Sequence, residues 1–162
     1  NMKDSKIKPR PGIIRLLKEL KKNNLRTALV SSASKDNLDS LFLEGLKINY
    51  KDFFDIIAHG ETTPNKKPSP EVYEWTLEKL KLPSSACIAI EDSPRGLQSA
   101  LRANIKVLVT PSKLTKGENF QGAKIVVSNL GEDSKPFELL EGESFGFKKV
   151  SLELLKNIHR LD

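Results

Sequence analysis

The sequence predicts an α/β fold in which a parallel β-sheet is flanked by helices on both faces. First, amphipathic helical segments alternate along the chain with short strands. Second, the strands are continuous apolar runs, such as "ACIAI" at residues 86–90, and such runs are typical of strands buried on both sides. Third, the 162 residues are 38% hydrophobic and 30% charged, which fits one globular domain.

Each predicted helix carries a local start or stop signal. The predicted elements are, in order, a helix over residues 11–24, a strand over 27–30, a helix over 35–46, a strand ending near His59, a helix from Ser69 to about Leu82, a strand over 86–90, a helix from Ser93 to about Ala103, strands over 105–110 and 123–128, and a helix from Ser151 to about His159. Pro11 can open the first helix, and Gly45 favours the end of the second. Serine caps precede the last three helices.

The apolar spacing also predicts which side chains face the core. The second helix has apolar residues at helical spacing, and we expect these to face inward: Leu38, Leu41, Phe42 and Leu46. Residues 129–149 show neither the 3.6-residue period of a helix nor the two-residue alternation of a strand, and we expect a loop there.

Charge and cysteine content argue against several classes of protein. The formal net charge is +6, with many lysines and arginines in residues 1–26, but no aromatic side chains alternate with them and no nucleic-acid-binding motif is visible. We therefore expect a solvated helix face and no nucleic acid partner. No apolar run approaches the roughly 20 residues that span a bilayer, so no membrane partner is expected. Cys87 is the only cysteine, which favours a cytoplasmic location.

Polar groups follow three of the predicted strands. The first strand is followed by Ser31, Ser32, Ala33, Ser34 and Lys35. Lys67 follows the second strand, and Glu91 and Asp92 follow the third. Each group alone has an ordinary explanation as a helix cap, a surface lysine or a turn. Together, at the edge of a parallel sheet where ligands bind, they supply donors, a cation and two carboxylates. This set suits a phosphate and Mg²⁺, and the ion would offset the charge of the adjacent carboxylates.

The same residues carry a resemblance to a known family. The stretches "LVSSAS", "KKPSPEVY" and "IAIEDSPRGLQSAL" resemble motifs two, three and four of the haloacid dehalogenase (HAD) superfamily, in its β-phosphoglucomutase-like branch. The tail "LVTPSKLTKGENFQGAKIVVSNLGE" resembles the CbbY sugar-phosphate phosphatases. The resemblance covers about residues 9–131 and implies a Rossmann-like core and Mg²⁺ as cofactor.

The resemblance implies a role for each matching residue. Its implied catalytic residues are Ser32 and Lys67, its phosphate-binding residues are Ser32, Ala33, Ser34, Lys35 and Lys67, and its metal residues are Asp92 and its supporting neighbour Glu91. Within this set, Lys67 would stabilise the phosphorylated nucleophile. Ser34 and Lys35 match positions that hold a second, distal phosphate.

The chain departs from the family at its beginning. The first motif, an Asp-x-Asp-Gly-Thr-like stretch that supplies the nucleophile and the general acid/base, has no counterpart here, and neither has the helical cap. Asp4 is the only carboxylate before the first helix. Residues 1–162 are therefore interpreted as the C-terminal part of a HAD-like core. Loss of the central first-motif strand would leave unpaired sheet edges and an exposed apolar face.

The predicted function is that of an Mg²⁺-dependent phosphatase of small sugar phosphates, with a sugar bisphosphate as one option. It would act through an aspartyl-phosphate whose nucleophile is not in this chain, so we expect the chain alone to be inactive. A missing N-terminal segment of the same protein is the expected partner. The alternatives are a β-phosphoglucomutase-like mutase and a non-catalytic phosphate-binding module. The expected location is cytoplasmic, or the plastid stroma if the source is a plant or alga.

Overall fold

The structure is a computed structural model that describes residues 7–162 of the chain. Asp4 lies outside the described residues.

Helices and strands alternate from α1 to β4, as the sequence predicts, and three strands then follow one another before the last helix. The helices are α1 Ile13–Lys22, α2 Lys35–Asp39, α3 Glu71–Leu80, α4 Pro94–Arg102 and α5 Leu152–His159. The strands are β1 Ala28–Val30, β2 Ile56–Ala58, β3 Ile88–Glu91, β4 Lys106–Val109, β5 Ile125–Val127 and β6 Leu139–Gly142. The side chains of Ser93 and Ser151 cap α4 and α5 by accepting a backbone N–H from the first turn, which confirms both predicted helix starts.

Two local predictions are wrong. The loop expected at residues 129–149 contains β6, which pairs antiparallel with β5. Because all four residues of β6 are exposed, the strand has neither an apolar run nor an alternating face that would reveal it in the sequence. Leu41, expected to face inward, is 40% exposed. Beyond α2 the chain widens into a π-helical turn, Ser40–Gly45, and this shifts the side chains out of the 3.6-residue period.

The strands form two sheets, one of two strands and one of four. β1 pairs with β2 in one, and the order β3-β4-β5-β6 makes up the other. The pairs β1–β2, β3–β4 and β4–β5 are parallel, which confirms the predicted sheet type.

Helices cover both faces of the larger sheet. Val107 and Val109 of β4 pack in a core with Leu97 and Ala100 of α4. Leu108, between them, packs in a second core. That second core also contains side chains from both ends of the chain, Leu16, Leu154 and Ile158. Burial on both faces explains why the strand reads as a continuous apolar run.

Within the described residues, one edge of β1 and one edge of β3 have no partner strand, and these two edges face each other across the gap between the sheets. Among residues 7–162, no strand hydrogen-bonds to β1 or β3 on those sides. All of β1 is only partly buried, and Ile90 of β3 is 38% exposed. These are the unpaired edges that the sequence predicted. No helix in the described part of the chain is long and apolar enough to cross a membrane.

Candidate active site

The three predicted polar groups come together at the carboxyl ends of β1 and β3. Members of each group line one pocket of about 440 Å³, which lies between the facing edges of β1 and β3. Its lining residues are Leu29, Val30, Ser31, Ser32, Ala33, Lys67, Ile90, Glu91, Asp92, Ser93 and Thr110. Parallel strands present their carboxyl ends at one edge of a sheet, so a single pocket can collect residues that are about 60 positions apart in sequence.

Lys67 joins the two strand ends. Its Nζ donates to the carbonyl oxygen of Val30, the last residue of β1, at 3.0 Å. The same atom lies 2.6 Å from Oε1 of Glu91, the last residue of β3. The side chains of Lys67 and Glu91 are only 11% and 7% exposed, so this ion pair is nearly buried. The charge that offsets Glu91 in the structure is therefore a lysine.

Tyr73 contacts both members of the Lys67–Glu91 ion pair. It lies in α3, its hydroxyl donates to the same Glu91 Oε1, and its ring centroid is 5.3 Å from Lys67 Nζ. Burial, followed by the adjacent Glu91 charge, raises the pKa of Tyr73 well above its ordinary value, so the hydroxyl remains a donor. The sequence did not predict Tyr73 as a site residue, because no local pattern reveals a long-range contact with Glu91.

Helix α4 holds the loop that carries Lys67. Arg95 donates to the Lys67 carbonyl oxygen at 2.9 Å, and the hydroxyl of Ser99 donates to the Ser69 carbonyl oxygen at 2.6 Å. Gly96 of the same helix makes room for Glu91, because a Cβ built there would lie 1.9 Å from Glu91 Oε2. The loop and the carboxylate are thus fixed against one helix.

Asp92 has a different environment from Glu91. It is exposed and lines the pocket, whereas Glu91 is buried. The Thr115 hydroxyl donates to the Asp92 carbonyl oxygen at 2.5 Å, which anchors the loop after β4 beside the site. Thr115 and Thr110 were not predicted as site residues, since a threonine in a loop or at a strand end carries no distinctive signal.

The donor chemistry of Asp92 fits Mg²⁺. This hard ion takes oxygen ligands, and proteins often bind it through one or two carboxylates together with waters and phosphate oxygens. Within residues 7–162, no cluster of three or more His, Cys, Asp or Glu side chains is arranged to hold a metal ion. Asp92 would hold such an ion together with waters and phosphate oxygens.

The residues after β1 divide into two sets. Ser32 and Ala33 line the pocket beside Lys67, although the Ala33 N–H already donates to the Ser31 hydroxyl at 3.1 Å. Ser34 and Lys35 do not line it. Ser34 caps α2 by accepting the Asn37 N–H at 3.1 Å.

Lys35 is paired within its own helix. Its Nζ lies 2.7 Å from Asp39 Oδ2, and this hydrogen bond raises the pKa of Lys35 and lowers that of Asp39. The expected roles of Ser34 and Lys35 at a distal phosphate stay predictions.

The chain is similar in sequence to known proteins. The family model of haloacid dehalogenase-like hydrolases matches residues 1–110. Protein CbbY of Cupriavidus necator is 39% identical over 127 residues, a match that covers 78% of this chain and 50% of the relative. The chain spans about half the length of the curated relatives it matches.

Solved structures share the fold. CbbY from Rhodobacter sphaeroides in complex with phosphate matches with a TM-score of 0.71 and 34% identity, covering 74% of this chain and 53% of that one. A mutant of that protein in complex with xylulose-(1,5)bisphosphate matches with a TM-score of 0.71 and 33% identity. The match covers 77% of this chain and 57% of the mutant's chain. β-Phosphoglucomutase from Clostridium difficile matches with a TM-score of 0.66 and 26% identity. The match covers 93% of this chain and 56% of that one.

Proposed function

The chain belongs to the haloacid dehalogenase-like hydrolase family, and from this premise we propose that it is the supporting half of a phosphatase active site. The proposed reaction is Mg²⁺-dependent hydrolysis of a small sugar phosphate. The observation that carries the proposal is the shared pocket of Ser32, Lys67 and Asp92. A hydroxyl, an ammonium and a carboxylate there match what a transferring phosphoryl group needs: donors, positive charge and a metal ligand.

Each of these residues has a defined task in the proposed reaction. The Ser32 hydroxyl donates to a phosphoryl oxygen. Lys67 has three N–H groups, of which two are used by Val30 and Glu91 within the described residues, and the third remains for a second phosphoryl oxygen. Asp92 would hold Mg²⁺, which supplies charge neutralisation at the phosphoryl oxygens when bound.

The nucleophile would come from outside the chain. The unpaired edges of β1 and β3 both border the pocket, and a further strand inserted there could hydrogen-bond to both. We propose that such a strand, from an N-terminal segment of the same protein, ends on an aspartate. Its carboxylate oxygen would form a bond to phosphorus as the bond between phosphorus and the sugar oxygen breaks, and a general acid/base of the same segment would protonate the leaving sugar oxygen. Water would then attack the phosphorus of the aspartyl-phosphate, which releases inorganic phosphate and restores the free carboxylate.

The substrate class rests on the relatives. The CbbY structure with xylulose-(1,5)bisphosphate supports a sugar bisphosphate as substrate for this chain's site. The likeness to β-phosphoglucomutase supports a second candidate, a phosphosugar mutase that uses the same residues and returns the phosphoryl group to the sugar. Domain extent, cytoplasmic location and the lack of a nucleic acid partner stay predictions.

The test is phosphate release from sugar phosphates by the protein complete with the nucleophile-bearing segment. Asp92→Asn should abolish Mg²⁺-dependent release, while Asp133→Asn should keep it, because Asp133 pairs with Lys149 away from the pocket. Unchanged release in the Asp92 variant would refute the assignment. A bisphosphate intermediate that re-donates its phosphoryl group would favour the mutase. Saturable phosphate binding without turnover by the complete protein would favour the non-catalytic module.

A further inference from the structure

Tyr73 shares one carboxylate oxygen with Lys67. Glu91 Oε1 accepts the Tyr73 hydroxyl and also the Lys67 ammonium, at 2.6 Å. Tyr73 is 6% exposed, and nothing in the proposed reaction yet uses it. The Tyr73 hydroxyl is a buried polar group, and such groups need a hydrogen-bond partner. An apolar side chain could fill the same space without any partner, so the hydroxyl calls for a functional explanation.

The hydroxyl restrains the carboxylate against rotation. With Lys67 alone, Glu91 could turn about its terminal bonds and keep its ion pair in more than one geometry, since the terminal torsion of glutamate is broad. The Tyr73 hydroxyl is a second donor to the same oxygen, and it reduces the number of orientations that the carboxylate can adopt. On its other side the carboxylate packs against Gly96 of α4. The Glu91 Oε2 atom occupies the space that a Cβ at position 96 would need.

The position of the ammonium depends on this restraint. Lys67 Nζ is held by Glu91 and by the Val30 carbonyl oxygen, and the ring of Tyr73 lies beneath it at 5.3 Å from its centroid. A lysine side chain is otherwise flexible and charged at one point, so its placement must come from its contacts.

We propose that Tyr73 is a positioning residue whose hydroxyl fixes Glu91 and, through it, the Lys67 ammonium that faces the phosphoryl group. This inference rests on the proposed function and adds a residue to it. Tyr73 does not touch the substrate. Its effect is on the geometry of the charged group that does, and displacement of such a group by about 1 Å can cost on the order of a hundredfold in rate.

The test is Tyr73→Phe in the complete protein, because this change removes the hydroxyl and keeps the ring. We expect kcat to fall by about tenfold or more and KM to change by less than about threefold. The matched control is Thr76→Val, which removes a buried hydroxyl of the same helix that donates to the Val72 carbonyl oxygen at 2.7 Å, apart from Glu91. The control should keep kcat within about twofold.

A double variant separates positioning from general packing. If Tyr73 acts through Glu91, then Tyr73→Phe should lower kcat little further in a Glu91→Gln background, because the two losses are not independent. Unchanged kcat in Tyr73→Phe, an equal loss in Thr76→Val, or full additivity with Glu91→Gln would each overturn the inference while the wild-type activity stands. Absence of phosphate release by the wild type would instead overturn the proposed function, and this inference with it.

Discussion

Replacing Lys67 with methionine should destabilise the fold markedly, whatever the protein's activity. Methionine keeps an unbranched stem and removes the ammonium. Glu91, 7% exposed, would lose its ion pair, and the Val30 carbonyl oxygen would lose a 3.0 Å hydrogen bond. A charge left buried without its partner is costly, because the attraction that compensated its desolvation is gone.

The contacts set the size of the effect. Removing one partner of a buried ion pair costs about 3–5 kcal/mol. Two features put this site at the lower end: the Tyr73 hydroxyl still donates to Glu91, and the pocket gives water a path to the carboxylate. We therefore expect a loss of about 3 kcal/mol. For a chain of this size that loss lowers Tm by about 6–12 °C.

Urea unfolding followed by circular dichroism measures the loss. The double variant Lys67→Met/Glu91→Gln should recover much of it, because the buried charge is then removed as well. Lys156→Met is the matched control, since Lys156 forms an exposed pair with Glu153 at 3.5 Å, and it should change stability by less than about 1 kcal/mol. A loss below about 1 kcal/mol in Lys67→Met, or no recovery in the double variant, would refute the buried-pair argument.

Two further predictions concern stability. Gly96→Ala should lower the free energy of unfolding by about 1–2 kcal/mol, because the new Cβ overlaps Glu91 Oε2 and this overpacking outweighs the gain in helix propensity; a more stable variant in urea unfolding would contradict it. Asp39→Asn should weaken the acid sensitivity of the fold. The hydrogen bond from Lys35 lowers the folded-state pKa of Asp39, so its contribution is present above the unfolded pKa of about 4 and is lost as pH falls through the lower folded value. Equal loss of stability below about pH 4 in both proteins would disprove this.

The fold was predictable where burial leaves a mark on the sequence. β4 and β5 are buried, and their apolar runs predicted strands of a parallel sheet covered on both faces. The serine caps of α4 and α5 fixed two helix starts. β6 was missed because an exposed edge strand is held by its neighbour's backbone rather than by its own side chains. Leu41 was misplaced because a π-helical turn changes the helical period without a composition signal.

The site was predictable up to the strand ends and no further. Topology alone implied that Ser32, Lys67 and Asp92 would meet, since all three follow strands of one parallel arrangement, and they line one pocket. The sequence could not assign contacts between adjacent carboxylates. It suggested one cation for both Glu91 and Asp92, whereas Glu91 turns inward to Lys67 and Tyr73 while Asp92 is exposed. Which way a side chain turns at a strand end depends on packing from distant elements.

The Lys67 contacts link the stability of the fold to the geometry of the proposed site. The ammonium bonds the last residue of β1 and the last residue of β3, which belong to different sheets and share no strand pairing within the described residues. It therefore helps to set the distance between the two unpaired edges at the carboxyl end. A strand that entered between β1 and β3 would meet edges already held at that end. The same contact that restrains the opening also holds the cation proposed to face the phosphoryl group, so a change at Glu91 or Tyr73 should affect the opening and the charge together.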